Sequence, residues 1–507
     1  MCLQFEFPVS LTAEKFIAKL GKQVETQLIS RQYSLKTYYD SFDWRLYANG
    51  LTCEFNRSKT TIALTLRSLE NNLVIAVTDV HEVPVFSTQF PPGTIRSTLE
   101  PILEMRALLS VCTLDYEAYR LNIINKDKKT VVRLFIEEHE LLNNRLTLQT
   151  IKGYDKTAEH IIEILTDQLG LSLTDQPVLL AALALQGRQP NDYSSKLLIH
   201  LDPIMRADIA CKIIYKQLLN VIKANEQGTI NDTDSEFLHD FRVAVRKTRS
   251  GLSQLKGVFP DPINAYYADF FSWLGQITGP TRDLDVYLLN FESYKSSLPI
   301  SIREDINPLY DFLLDKQRKR QRELAKHLKS RKYLTPLAEW THYLEQRVQN
   351  KPIEPNAGLS IKQLADSRIW KVYKRVVREG DAITELSESE KLHDLRKSCK
   401  KLRYLIEFFQ SLYPDNQIRH LLRSLKELQE VLGDFQDYQV QEHNLKEFSE
   451  EMLAGKLHAS TVLAMGVLIQ NLDTRRYKAR SDFNSRFSAF RQAENQAAYK
   501  SLFAAKS

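Results

Sequence analysis

Polar and apolar positions alternate along the first third of the chain and recur at helical spacing along the rest. LKTYYD (35–40), GLTCEFN (50–56) and TIALTLRS (61–68) alternate and are rich in Thr, Tyr and Ile, the signature of strands with one covered face. Short helices are predicted after TAEK (12–15), PPG (91–93) and YDKT (154–157). Residues 1–165 therefore read as an antiparallel sheet or barrel. From about residue 201 glycine and proline thin out and the period lengthens. Helices are predicted at 201–226, 236–259, 262–278, 282–293, 303–330, 333–349, 362–380, 388–412, 415–432, 436–454 and 457–495. Between the halves, QGRQPNDYSS (186–195) marks a linker. The fold class is thus α+β, with a sheet domain over 1–168, a linker over 169–200 and an all-helical domain over 201–497.

Within the helical part LHDFR (238–242) returns as LHDLR (392–396), and the offset of 154 holds far beyond the pentapeptide. It pairs Leu238, His239, Asp240, Arg242, Lys247 and Arg249 with Leu392, His393, Asp394, Arg396, Lys401 and Arg403. Without a gap it then pairs FPD (259–261) with YPD (413–415), and Gly279, Asp283 and Val286 with Gly433, Asp437 and Val440. One fixed offset over so long a stretch implies an internal duplication, 236–293 and 390–447, related by a pseudo-twofold axis.

On a wheel of about 100° per residue, Leu238, Phe241, Val245, Thr248, Leu252, Leu255 and Phe259 form a core stripe. Beside it His239, Arg242, Arg246 and Arg249 form a second stripe. In the other copy His393, Arg396, Lys400 and Arg403 fall at the same angles, next to Leu392, Leu395, Cys399, Leu402, Ile406 and Phe409. Lys247 and Lys401 point away from both stripes, toward solvent. Cations one turn apart repel by a few tenths of a kcal/mol per pair, roughly; an anion lying along the row reverses the sign. Arginine offers paired donors to phosphate oxygens, and a protonated histidine donates from both ring nitrogens. The plainer alternative is a solvated face or an internal layer of salt bridges, to which Asp283 and Asp437 could contribute. With an anion bound, those two aspartates would instead orient the arginines.

Charge sharpens this picture. The chain carries a net +6, but residues 1–200 hold 21 Lys and Arg against 23 Asp and Glu, leaving 48 against 40 beyond them. A polyanion partner therefore belongs to the helical half. DKQRKRQRELAKHLKSRK (315–332) places Lys316, Lys319, Arg322, Lys326 and Lys329 near one helical face, and Arg475, Arg476, Lys478 and Arg480 cluster near the end; an ordinary solvated helix is the competing reading of both. The opening MCLQFEFPVS lacks the pattern of a signal peptide, and the longest apolar run, VLLAALAL (178–185), is too short to cross a bilayer. Cys2, Cys53, Cys112, Cys211 and Cys399 are scattered without a CxxC pair, so a reducing cytoplasm is the expected compartment.

LHDFRVAVRKTR and LHDLRKSCKKLRYLIEFF, with LGQITGPTRDLDV and LQEVLGDFQDYQV behind them, resemble the duplicated signature of the CHAD (conserved histidine α-helical) domain over about 200–495. That resemblance implies two four-helix bundles around a basic surface that binds inorganic polyphosphate, and an association with polyphosphate or storage granules. LKTYYDSFDWRLYANGL and IALTLRS resemble the CYTH domain, a triphosphate-tunnel barrel that often precedes CHAD. The departures matter there. Where active members carry E-x-E-x-K, this chain has Gln4, Glu6 and Pro8; Glu54 and Asn56 replace two tunnel arginines; Thr147 and Gln149 stand where paired glutamates are expected. Arg67 alone keeps a cation. Glutamate in place of arginine repels phosphate, and Glu6 by itself does not hold a catalytic metal.

The expectation is a non-enzymatic, cofactor-free polyphosphate-binding protein. Its site is His239, Arg242, Arg246, Arg249, His393, Arg396, Lys400, Arg403, Lys319, Arg322 and Lys326, with Asp283 and Asp437 as orienting groups. One alternative is an inorganic triphosphatase using Mg²⁺ or Mn²⁺ in the tunnel through Glu6. Another is a helical nucleic-acid binder, against which stands the lack of any RRM, KH, helix-turn-helix or aromatic stacking signature.

Overall fold

The computed structural model describes residues 2–59, 62–455 and 457–504; Thr61, the first residue of TIALTLRS, lies outside them. The chain divides into two compact units between Ser194 and Ser195.

Nine strands build the first unit: β1 Cys2–Glu6, β2 Thr26–Asp40, β3 Leu51–Ser58, β4 Ile62–Ser68, β5 Val74–Asp79, β6 Leu109–Ile124, β7 Thr130–Glu138, β8 Arg145–Thr150 and β9 Ser172–Leu173. They form one antiparallel sheet in the order β5-β4-β3-β2-β6-β7-β8-β1-β9. The sheet curls strongly: residues of β4 and β1, six places apart in that order, line one cavity. Among the described residues β5 and β9 do not pair with each other, so the curl stops short of a hydrogen-bonded barrel. Helices α1 (Ala13–Leu20), α3 (Thr94–Leu103) and α4 (Asp155–Glu163) follow the three predicted start signals, and α2 (Arg45–Ala48) is a single turn.

The expected linker needs correction. Residues 169–185 contain β9 and helix α5 (Val178–Leu185). Leu179, Ala182 and Leu183 of α5 are buried against Tyr38, Trp44 and Cys112. An octet as apolar as VLLAALAL loses free energy in water, and it packs onto the sheet unit instead.

Eleven helices follow among the described residues: α6 Ala207–Asn231, α7 Ser235–Gln254, α8 Asp261–Leu289, α9 Phe291–Ser296, α10 Asn307–Leu328, α11 Arg331–Glu345, α12 Ile361–Asp381, α13 Ser389–Phe409, α14 Asp415–Leu453, α15 Ala459–Phe490 and α16 Ala493–Phe503. Helices α6, α7 and α8 begin at 207, 235 and 261, and α12, α13 and α14 begin 154 residues later in each case. The duplication thus includes a helix on the N-terminal side of the signature. Each repeat packs four helices, α6–α8 with α10 and α12–α15, while α11 lies on α6 and α16 on α12.

Two predicted breaks do not occur. Helix α8 runs through Gly279 and Pro280, and α14 through Gly433. Local propensity disfavours both, but Leu274, Thr278, Thr281 and Leu284 on the flanking turns of α8 are buried, and packing carries the helix across. Conversely, the single helix predicted over 457–495 divides into α15 and α16.

Equivalent residues meet. Arg246 and Lys400 are electrostatic neighbours, as are Asp283 and Asp437. The Tyr287 hydroxyl donates to the Gln441 carbonyl at 3.2 Å, again across a separation of 154. Contacts between equivalent positions are the mark of a twofold, so the pseudo-symmetry axis passes between α7 and α13 and between α8 and α14.

Candidate anion-binding groove

Asp234 caps α7, accepting from the Glu236 and Phe237 backbone N–H groups at 2.9 and 3.2 Å. That start fixes the phase of the helix. Leu238, Phe241, Val245 and Leu252 enter the core, and the neighbouring stripe of His239, Arg242, Arg246 and Arg249 follows from the 3.6-residue period. In α13, Leu392, Leu395, Cys399 and Leu402 do the same for His393, Arg396, Lys400 and Arg403.

Each repeat lays its first arginine across the next helix. Arg242 Nη1 donates to the Gly275 carbonyl at 3.2 Å and to Thr278 Oγ1 at 2.8 Å. Arg396 Nη1 donates to the Gly433 carbonyl at 3.2 Å and to Asp437 Oδ1 at 3.0 Å. A Cβ on Gly279 or Gly433 would lie 3.6 Å from the guanidinium, so the duplicated glycines are the floor on which the arginines rest. His393 shares a 2.8 Å hydrogen bond between Nδ1 and Gln436 Oε1. His239 is half-buried at the matching place on α7.

The two rows share one electrostatic environment. Burial, then Arg396 and Arg246, pulls the Lys400 ammonium down to about 8; Asp437 offsets part of this. Burial, then Arg246, pulls the Arg242 guanidinium down to about 10, against the pull of Asp283. Among the described residues neither Arg246 nor Lys400 has a carboxylate within ion-pair distance, and the buried Nε atoms of Arg246 and Arg396 donate to no acceptor. Arg403 lies 3.4 Å from Glu407 and Arg396 is bonded to Asp437, so the rows are ion-paired in part at their flanks, while at the axis Asp437 and Asp283 act on Lys400 and Arg246 only through their charge. Asp437 orients Arg396; Asp283 acts on Arg242 through its charge.

Lys247 and Lys401 are not in solvent. Lys247 is buried, with Nζ 2.9 Å from Glu407, and Lys401 is half-buried beside Arg375 and Glu379. The wheel treats a helix alone, whereas α13 packs onto that side of α7.

The other basic stretches behave differently. Lys319, Arg322 and Lys326 are exposed on α10 and, among the described residues, bond to neither row. Lys316 is held by both oxygens of Glu451 at 2.5 and 2.6 Å. Arg476 pairs with Asp473 and Glu442, and Arg480 donates to the carbonyls of Thr384, Glu385 and Ser387. Two further cations adjoin the groove, Arg282, which went unmarked in the sequence, and Arg475 of the cluster near the end. Arg282 sits near Arg242, and Arg475 acts on Tyr294, which also feels Asp437. Arg282 could have been noticed from its place beside the duplicated Asp283.

In the sheet unit a cavity of about 260 Å³ is lined by Gln4, Lys36, Glu54, Arg67, Arg145 and Thr147, among others. Asn56 lines an adjoining cavity and Gln149 a third. Arg67 Nε lies 3.1 Å from Glu54. Glu6 is engaged by Arg145 at 2.7 Å and Asn143 at 2.6 Å. Among the described residues no group of three or more His, Cys, Asp or Glu side chains is disposed to hold a metal ion, and no helix is long and apolar enough to cross a membrane. Lys36 and Glu137 of this cavity went unmarked in the sequence, because their strands lie far apart in the chain.

Residues 213–446 match the family model of the CHAD domain. Two Mycobacterium tuberculosis proteins, from strains CDC 1551 and H37Rv and both bearing the name uncharacterized protein, are 26% identical over 238 residues. The match covers 46% of this chain and 44% of theirs, so the chain spans less than half the length of these relatives. Among solved structures, the CHAD domain of the plant Ricinus communis aligns with 61% of this chain and 96% of its own, at 23% identity and a TM-score of 0.44. PptA from Streptomyces chartreusis aligns with 56% of this chain and 100% of its own, at 13% identity and a TM-score of 0.44. A Hippeastrum protein with a dominant triphosphatase activity covers 38% of this chain and 99% of its own, at 11% identity and a TM-score of 0.28. The chain thus carries a match to the CHAD domain at 213–446, in its helical unit, and a curled antiparallel sheet precedes that unit in sequence.

Proposed function

We propose that the helical unit binds inorganic polyphosphate along the groove between α7 and α13, and that the protein serves as a non-enzymatic binder on polyphosphate or storage granules. One observation carries the reading. Arg246 and Lys400, equivalent residues of the two repeats, are electrostatic neighbours at the pseudo-twofold axis, and among the described residues neither has a carboxylate within ion-pair distance. Like charges held together in a partly buried place raise the energy of the empty protein; an anion between them turns each repulsion into an attraction. The row from His239 to Arg249 spans roughly 15 Å at 1.5 Å per residue, longer than one phosphate, which favours a polymer. The phosphate identity rests on the CHAD resemblance. The non-enzymatic part is supported by the paired state of Glu6, Glu54, Arg67 and Arg145, which among the described residues leaves neither a metal-holding set nor an open cationic wall.

The test is a titration of the full chain with long-chain polyphosphate near physiological salt. It is compared with the double variant Arg246→Gln/Lys400→Gln, whose folding is checked by circular dichroism. Wild type should bind, and the variant should bind at least about tenfold more weakly, since charge-assisted hydrogen bonds are worth roughly 1.5–3 kcal/mol each. The binding reading fails if wild type does not bind or the folded variant binds as well. Phosphate release from tripolyphosphate with Mg²⁺ or Mn²⁺ should be absent; release abolished by Glu6→Ala would overturn the non-enzymatic part.

A further inference from the structure

The cavity of the sheet unit has a charge order of its own. Strand alternation sends Lys36 of β2, Glu54 of β3, Arg67 of β4, Glu137 of β7 and Arg145 of β8 to its wall. Arg145 and Glu137 stand directly opposite each other in the β7–β8 register. Glu137 Oε1 meets Lys36 Nζ at 2.5 Å, Lys36 also feels Glu54, and Glu54 Oε2 meets Arg67 Nε at 3.1 Å. The sign therefore alternates along the wall: Arg145, Glu137, Lys36, Glu54, Arg67. Four of these five are more than nine-tenths buried; Arg67 is the half-buried end. Behind the row, Glu6 holds Arg145 Nη2 at 2.7 Å, while Arg145 Nη1 is buried and has no hydrogen-bond partner.

An unpartnered buried guanidinium nitrogen is costly unless something supplies its acceptor. A phosphate chain does not suit the place, because its charges would lie against Glu54 and Glu137. A simple cation would meet Lys36, Arg67 and Arg145. The wall is balanced: three cations face Glu54, Glu137 and Asp175. A ligand bearing one charge of each sign complements such an array, as a matched ion pair does in a protein interior. At about 260 Å³ the cavity has room for roughly nine non-hydrogen atoms, taking ~30 Å³ per water-sized group. Gln4 and Thr147, opposite one another on β1 and β8, add neutral donors and acceptors, and Tyr38 and Phe135 add aromatic surface.

We propose that this cavity is a binding site for a small zwitterion, an amino acid or related ammonium carboxylate, whose carboxylate accepts from Arg145 Nη1 and whose ammonium group lies against Glu54. The site is independent of the groove in the helical unit.

The experiment titrates the ¹⁵N-labelled full chain with the proteinogenic amino acids, γ-aminobutyrate and glycine betaine. Acetate, methylammonium and tripolyphosphate serve as comparisons, and the Gln4 and Thr147 amides are followed. At least one zwitterion should shift these amides saturably, and acetate and methylammonium should not. Arg145→Gln, which leaves Glu6 hydrogen-bonded to Asn143, should weaken that binding about tenfold or more. Should that variant misfold, Glu54→Gln gives the same reading from the ammonium side. The proposal is overturned if no zwitterion shifts the amides, if both folded variants bind as wild type does, or if tripolyphosphate saturates these same amides.

Discussion

Lys400 shows how a single side chain records the repulsion between the two rows of cations. Its ammonium titrates at about 8 in the folded protein, through burial and then Arg396 and Arg246, and at 10.5 in its ordinary state. Between those values the unfolded chain holds the proton and the folded chain does not, so stability rises as pH climbs from about 8 to about 10.5. Below about 8 both states are protonated and the full penalty remains. Lys400→Met should therefore stabilise the unliganded protein near neutral pH by on the order of 2 kcal/mol, allowing for partial exposure. The variant should also flatten the rise in melting temperature that wild type shows above pH 8. Calorimetric melts across that range check both parts, and an unaltered melting temperature for Lys400→Met near neutrality would contradict this picture of the groove. The same linkage makes anion binding take up protons near pH 8, so affinity should fall as pH rises through that region.

At the scale of helices, each repeat presses a phenylalanine ring onto a glycine. A Cβ at Gly228 of α6 would come within 2.2 Å of Phe237, and one at Gly380 of α12 within 2.0 Å of Phe487. At Gly228 the conflict is with the ring carbons nearest the backbone, Cδ1 and Cγ, which have little freedom to retreat. Gly228→Ala should cost about 1–3 kcal/mol by overpacking, measured by chemical denaturation, and Phe237→Leu in the same chain should restore part of it. These contacts also mark the limit of what the sequence discloses. The stripes of α7 and α13 were legible because they depend only on the helical period, and the fixed offset exposed the duplication. The environment of Lys247 was not, since its partner Glu407 belongs to a helix 160 residues away. Likewise Gly279 and Gly433 signalled helix ends to local propensity, but their role is to seat Arg242 and Arg396 from a neighbouring helix. Apolar α5 was hidden beside a polar, turn-rich stretch, and the Lys36–Glu137 pair joins strands 101 residues apart.

Across the helical unit as a whole, the pseudo-twofold axis decides how the cations add. Tyr287 and Gln441, Asp283 and Asp437, and Arg246 and Lys400 meet as equivalent pairs, so the two rows form one surface instead of two separate sites. Cations that touch a polyanion release its counterions, and each contributes roughly 0.7–0.9 to the slope of log affinity against log salt. Replacing Arg246 and Lys400 together by glutamine should therefore lower that slope by about 1.5, with the loss growing as salt is reduced. Replacing Lys319 and Lys326 on α10, which are exposed and share no bond with the rows among the described residues, should leave the slope within error of wild type. The measurement is a set of polyphosphate titrations at several salt concentrations on the three proteins. A slope that falls equally for both variants would mean that the polymer is attracted by overall charge. A slope that falls only for the pair on the axis would locate the bound chain along α7 and α13, because only contact, and not distant charge, displaces a counterion for each cation removed.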